Sequence, residues 1–459
     1  MKLRFILIVP LVSIASIVWA QEPAQSEAPD HQEDAESDTQ NDPEPLQSLI
    51  PTLPDYTGDI RSRSYLTGDW GGARTELAEN GIIFSLDLTQ VFQGTVTGGR
   101  DQNSAFRYSG SVDYTLKLDT ARMGLWPAGL LYLKGETMFG NSLNRKVGSL
   151  MVPNADALFP VPDDPGQTTL TDVVYTQFLS ETFGFAIGKI DFRGGDQNLF
   201  ANSETEQFLN LAFLANPTLL RYAPYSALTA GVFYRPTEWL TVVFVALDSF
   251  GRPDTAGFDT AFHSPEGTTF INEWTFTINP LGLPGHQRFG FAYSNRDFKL
   301  LDQDLRLGGP IRNLRSLRQV LRDPKVRPDD WALYYNFDQY VYTEEEDPSQ
   351  GIGLFGRFGW SSGEANPVSE FYSFGMGGKG IIPERDNDTF GVGYYYLNMS
   401  DDMPAFLGMN AEQGVEMYYN IEVTPWLHIT PDLQVIIDPA GMDDVSTAVV
   451  AGVRMQMSF

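Results

Sequence analysis

"RYSGSVDYTLKLD", residues 107–119, decides the fold. Tyr108, Val112, Tyr114, Leu116 and Leu118 fall on one side, and Ser109, Ser111, Asp113, Thr115, Lys117 and Asp119 on the other. Period two is the signature of a strand, because successive side chains point to opposite faces. The pattern begins earlier, at Ile82: Phe84, Leu86, Leu88 and Phe92 alternate with Ser85, Asp87, Thr89 and Gln93, and Gln90 is the exception on the apolar side. It returns at the end of the chain, where Val445, Val449, Ala451, Val453, Met455, Met457 and Phe459 oppose Ser446, Gly452, Arg454, Gln456 and Ser458.

A soluble sandwich alternates too, so length and charge must separate the two architectures. Sandwich strands run to about 5–6 residues, whereas strands that cross a bilayer need about 9–11. These runs have the longer length. Their polar faces carry ionised groups, which suits a water-filled lumen inside an apolar band better than a packed core. Glycine at 43 of 459 residues and aromatics at 13% favour turns and strands over helices. In "YRPTEWLTVVFVAL" (234–247) and "EVTPWLHITPDL" (422–433), a tight Pro-containing turn precedes Trp239 or Trp426, as an interfacial aromatic girdle requires. The stretch from Tyr65 to Phe459 allots roughly 22–26 residues to each strand with its turns, which predicts an all-β transmembrane antiparallel barrel of about 16 strands, or 18 at the short end. A barrel that wide leaves an aqueous channel.

Before the first strand, "YLTGDWGGARTELAENG" (65–81) changes grammar. Asp69 can cap a short helix from about Gly72 to Glu79, Asn80 and Gly81 can stop it, and Ala73 and Leu77 give it a small apolar side. Such a helix is expected at the inner mouth of the barrel, a structural cap that leaves Arg74 and Glu76 free for lumen contacts.

Residues 1–20 combine Lys2 and Arg4, an apolar run, and Val18 and Ala20 at cleavage positions, the pattern of an export signal. No later stretch is apolar enough for a membrane helix. Residues 21–55 hold ten acids and no Lys or Arg, and the stretch 21–64 is read as an acidic, disordered periplasmic tail ahead of the barrel domain at 65–459. Loss of Lys2 and Arg4 would leave 29 basic against 59 acidic groups, a net charge of −30, which excludes nucleic acid as a partner. The absence of cysteine means that an exported chain must rely on packing or on closure of a sheet.

Motifs that imitate chemistry carry little here. "GWSSG" (359–363) matches the nucleophile elbow of a hydrolase, but "EANP" follows it and reads as a loop. "GMGGKG" (375–380) fits a dinucleotide fingerprint, yet Pro383 would interrupt the required helix, and the glycines read as easing a barrel turn or bulge. No metal-ligand spacing is present, so neither catalysis nor a metal or other cofactor is expected. The basic segment 311–327, with Arg312, Arg315, Arg318 and Arg322, reads as an external loop or short helix, with a fold-back into the pore or contact with lipopolysaccharide phosphates as alternatives.

Five stretches in order, "LTGDWGGARTELAENGI" (66–82), "WALYYNFDQYVY" (331–342), "GIGLFGRFGW" (351–360), "SFGMGGKGIIPERDNDTFGVGYYY" (373–396) and "YYNIEVTPWLHITPDLQVIIDPAG" (418–441), resemble the carbohydrate-selective porin family of Gram-negative outer membranes, OprB-type. The resemblance runs from about Tyr65 to the C-terminus and implies a sixteen-stranded barrel for diffusion of sugars, glucose-like monosaccharides among them. The acidic tail and the segment 311–327 have no counterpart in it. Within that reading the constriction candidate is "KIDFRGGDQNLFANSETEQFLN" (189–210), dense in charge between apolar pieces, with Lys189, Asp191, Arg193, Asp196, Asn198 and Glu204 as expected sugar contacts alongside Arg74 and Glu76. Arg193, between Asp191 and Asp196, is expected to be held by those carboxylates. Partners expected are small carbohydrates, outer-membrane lipid and lipopolysaccharide, and the assembly machinery through the strand ending in Phe459, in a monomer or homotrimer. A general or ion-selective porin without sugar specificity and an outer-membrane hydrolase are the alternatives.

Overall fold

The computed structural model describes residues 48–101, 106–157, 167–193, 196–261, 267–303 and 323–459. The export signal, most of the acidic tail, Gly194, Gly195 and the arginines at 312, 315, 318 and 322 lie outside the described residues. The strands are β1 (Ile82–Thr97), β2 (Phe106–Asp119), β3 (Gly129–Gly140), β4 (Thr168–Ser180), β5 (Phe183–Asp191), β6 (Ser226–Thr237), β7 (Leu240–Asp248), β8 (Thr268–Ile278) and β9 (Gly285–Ser294). After the two-residue pieces β10 (Phe298–Lys299) and β11 (Val326–Arg327) come β12 (Asp330–Thr343), β13 (Gly351–Ser361), β14 (Val368–Lys379), β15 (Thr389–Met399), β16 (Ala411–Thr424), β17 (Leu427–Ile437) and β18 (Ala448–Ser458).

All but β10 and β11, which pair with each other, form one closed antiparallel barrel of sixteen strands. Closure pairs β1 with β18, from Asp87 opposite Ser458 to Gln93 opposite Gly452, and it removes the unpaired edges that no lipid could satisfy. The alternation has the polarity of a membrane barrel. Phe92 is 53% exposed on the outer face, while its neighbours Val91 and Gln93 are 1% exposed on the inner one. Gln90, the apolar-side exception, is answered on the same face by the Tyr108 hydroxyl, which donates to its Oε1 at 2.7 Å.

Short turns such as 181–182, 238–239 and 425–426 lie at one end and long connections at the other, so the short-turn end is periplasmic. The N-terminal segment and Phe459 meet at that end. The helix runs Ala73–Glu79 after a single 3-10 turn, Trp70–Gly72. The N-cap is Gly72 rather than Asp69, which steadies the first turn from outside it: its Oδ1 accepts from the backbone N–H and the hydroxyl of Thr75, at 2.8 and 2.7 Å. Gly81, at φ +83°, ends it where a Cβ would meet the Asp119 carbonyl at 2.6 Å.

Two expectations for this region are corrected. Leu77 and Ala73 are exposed, and the helix buries Ala78 and Arg74 instead. Arg74 is not free for the lumen. Its Nη2 donates to the carbonyls of Phe84 and Phe459 at 2.9 and 2.8 Å, and its guanidinium lies 4.2 and 4.3 Å from the ring centres of Tyr56 and Tyr65. A planar cation can satisfy carbonyls at its edge and aromatic faces at once, so it pins the N-terminal segment to the barrel seam. Glu76 is exposed on the helix. The stretch 48–64, read as the end of a disordered tail, makes defined contacts. The Ser48 hydroxyl donates to Asp119 at 2.5 Å, Arg122 donates to the Ile50 carbonyl at 2.9 Å, and Leu49 and Ile50 pack with Ile83, Leu130 and Phe178. Its apolar side chains cover the apolar belt at the inner mouth. Trp426 contributes more than a girdle ring, since its Nε1 donates to the Ile60 carbonyl at 2.6 Å.

Candidate functional site

The connection 192–225, between β5 and β6, folds into the barrel rather than over it. Its aromatic residues Phe200, Phe208 and Phe213 are buried against β13–β16, where the inner wall is bare of side chains at glycines. A Cβ on Gly353 would lie 2.0 Å from Phe200, on Gly391 2.7 Å from Phe208, and on Gly393 2.4 Å from Phe213. The glycines of "GIGLFGRFGW" and "GMGGKG" therefore do more than ease turns. Gly380 does sit in a turn, at φ +71°, but Gly353 and Gly377 give clearance to Phe200. Phe208 contacts Phe213, Phe355 and Tyr418 with ring centres 4.5, 5.4 and 4.9 Å apart. "GWSSG" runs from the end of β13 into a loop, without the helix that a nucleophile elbow needs.

Charged wall residues hold the loop by its backbone. Glu416 accepts the N–H groups of Leu209 and Asn210 at 2.5 and 2.9 Å, and Arg454 donates to the carbonyls of Glu204 and Gln207 at 2.8 and 2.9 Å. Arg357 grips both oxygens of Asp196 at 2.6 and 2.7 Å, and Arg288 donates to the Gln197 carbonyl at 2.8 Å. Asn198 donates to Asn336 Oδ1 and the Phe337 carbonyl, both at 2.8 Å. Charge-assisted bonds of this kind cost little to keep in a wet lumen and much to break once buried. A second connection, 141–157, also turns inward. Glu412 accepts the N–H groups of Leu150 and Met151 at 2.7 and 2.9 Å, while Gln434 donates to the Pro153 carbonyl at 2.8 Å.

Where β2, β3 and the end of β5 form the wall, it carries a strip of paired charge. Lys134 lies 3.5 Å from Asp113 and 3.9 Å from Asp191. Arg193 pairs with Glu136, which also accepts from the Tyr225 hydroxyl, and its guanidinium sits 4.8 Å from the Tyr225 ring centre. Beside this strip Asp156 accepts from Ser111 at 2.6 Å, and burial pushes its carboxyl up to about 7. The strip sets hydrogen-bond donors and acceptors of both signs side by side.

Of the residues picked from sequence, Asp191 and Arg193 come together in this strip, and Glu204 sits half-exposed at the loop tip. The expected Asp191–Arg193–Asp196 arrangement is rearranged: Arg193 pairs with Glu136 and Asp196 with Arg357, because the barrel wall brings in partners from distant strands. Lys189 is used outside the strip. Its ammonium donates to the carbonyls of Leu170, Pro253 and Thr255 at 2.8, 2.8 and 2.5 Å and fastens the connection between β7 and β8. Asn198 is a loop anchor. Lys134, Glu136, Arg288, Arg357, Glu416 and Arg454 were not singled out; their common signal is an ionised residue at an inward position of an alternating strand.

The pattern that defines the family described as "Carbohydrate-selective porin, OprB family" matches residues 103–459. Porin B of Pseudomonas aeruginosa is 25% identical over 425 residues, which cover 86% of this chain and 91% of that protein. A putative porin, QuiX, of Acinetobacter baylyi is 22% identical over 87% of this chain and 94% of its own length. The high-pH structure of Pseudomonas putida OprB superposes with a TM-score of 0.74 at 25% identity, covering 88% of this chain and all of that one. These relatives are channels rather than enzymes, and the closed barrel places the chain in the Gram-negative outer membrane. Barrel, inward loop and matched pattern agree that the chain belongs to the carbohydrate-selective porins of the OprB family.

Proposed function

We propose that this porin passes neutral, glucose-like monosaccharides into the periplasm by passive diffusion, selecting them at the narrowing between the inward loop beyond Asp196 and the charged strip formed by β2, β3, the end of β5 and Arg193. The observation that carries the reading is the interleaving of both signs of charge, Lys134 and Arg193 among Asp113, Glu136 and Asp191, with the half-exposed Glu204 on the loop. Cations set among a small excess of anions offer donors and acceptors to hydroxyls side by side. A millimolar site corresponds to about −4 kcal/mol, within reach of two or three such hydrogen bonds, and is weak enough to release its solute.

The same reading assigns the exposed outer face to lipid, the long connections to the lipopolysaccharide side, and the Phe459 strand end to recognition by the assembly machinery, in a monomer or homotrimer. Single-channel recording in planar bilayers with a panel of hexoses, disaccharides and amino acids tests it. Concentration-dependent block by hexoses, with little by the amino acids, is expected. Conductance indifferent to every sugar would favour a general or ion-selective porin.

A further inference from the structure

A cavity of about 760 Å³, counted with the solvent at its open mouth, lies between the inward loop and the wall of β8, β12 and β13. Strand register orders its lining by depth. Nearest the extracellular end, Ile271 meets Leu219 and Ala223 of the loop in an aliphatic patch, backed by the buried Ala292 and Ala332 that the strand register aligns with it. One step deeper, Glu273 aligns with Gly290 and Tyr334, and a further step down Asn336 aligns with Arg288 and Arg357.

The deep end is equipped to bind. Arg357 is 3% exposed, spends its Nε and Nη2 on Asp196 and the Ala201 carbonyl, and leaves Nη1 buried without a partner among the described residues. Glu273 accepts from Tyr334 at 2.8 Å and from Thr275 at 3.3 Å, with lone pairs left over. The Tyr334 ring lies over Gly290, where a Cβ would fall 1.9 Å from Cζ, so the wall is cut back to seat it. A buried donor left unpaired is costly unless something occupies it, water or ligand.

We infer that this cavity is a second solute subsite, selective for amphipathic glycosides: a pyranose whose hydroxyls meet Arg357 Nη1 and Glu273, carrying an aryl or alkyl group that lies on the Leu219–Ile271 patch. The inference rests on the sugar-channel reading and adds a substrate class to it. An unsubstituted hexose fills only the polar end, whereas a phenyl group covers apolar surface that is otherwise wet.

The test compares current block by methyl β-glucoside and phenyl β-glucoside in wild type and Leu219→Ser. In wild type the phenyl compound should block at a concentration about 10-fold lower than the methyl one. Leu219→Ser should reduce that ratio to within about twofold, while a control, Leu354→Ser on the outer face of β13, keeps it. Equal block by the two glucosides in wild type overturns the inference and leaves the sugar-channel reading intact. A phenyl preference that survives Leu219→Ser moves the subsite elsewhere and overturns the assignment to this cavity. Absence of block by either compound refutes the channel reading itself, and this inference with it.

Discussion

Arg454→Ala should loosen the inward loop and widen the pore while leaving the barrel closed. The Arg454 side chain, on the final strand, points inward to the carbonyls of Glu204 and Gln207 and also bonds the Thr430 hydroxyl on the neighbouring strand at 3.3 Å. Each charge-assisted bond to a carbonyl contributes about 1.5–3 kcal/mol, so the pair is worth roughly 3–6 kcal/mol before water is considered. Alanine leaves space for water, which re-satisfies the carbonyls and returns about half of this. A net loss of about 1.5–3 kcal/mol shifts the ratio of docked to undocked loop tip by about 12- to 160-fold. The tip carries Glu204 and Glu206, so its release should raise single-channel conductance, add open-channel noise and weaken hexose block. The barrel should persist, because the pairing of β18 with β1 and β17 is backbone hydrogen bonding that the substitution does not touch. Heat-shifted mobility on gels reports barrel closure, and bilayer recording reports the pore. A correctly closed Arg454→Ala barrel with wild-type conductance, noise and block would refute the claim that wall cations set the loop.

Arg193→Ala, which removes the partner of Glu136, should weaken hexose block by roughly 10-fold or more without closing the channel, read in planar bilayers at fixed ionic strength. Arg74→Ala should cost about 3 kcal/mol of attachment of the N-terminal segment, since it deletes two carbonyl contacts and two ring contacts; limited proteolysis should then cleave within 48–66, where wild type resists. Because burial raises the Asp156 carboxyl to about 7, the folded protein holds that proton more tightly than the unfolded chain does. The stability it contributes is fully present below the ordinary carboxylate range and is lost as pH rises toward 7. Above that, the new negative charge should increase cation preference; reversal potentials in a salt gradient measured from pH 5 to 8.5 should show the step in wild type and a smaller one in Asp156→Asn.

The barrel was legible in the chain because its cause is local. A strand between lipid and water must alternate, and the alternation of residues 82–93, 107–119 and 445–459 states which side chains meet which medium. The short helix and its stop at Gly81 were legible for the same reason, since a C-terminal stop acts within one turn. The channel interior was only partly legible. The charge density of 189–210 marked the right segment, but its side chains found partners that no spacing announces: Glu136 for Arg193 and Arg357 for Asp196. Closure of the barrel brings strands far apart in sequence to the same depth, and the charged groups then pair with whatever the register sets opposite them. The inward course of the loop was decided likewise. It depends on the fit of Phe200, Phe208 and Phe213 against Gly353, Gly391 and Gly393, a complementarity of shape that exists only once both sides are folded.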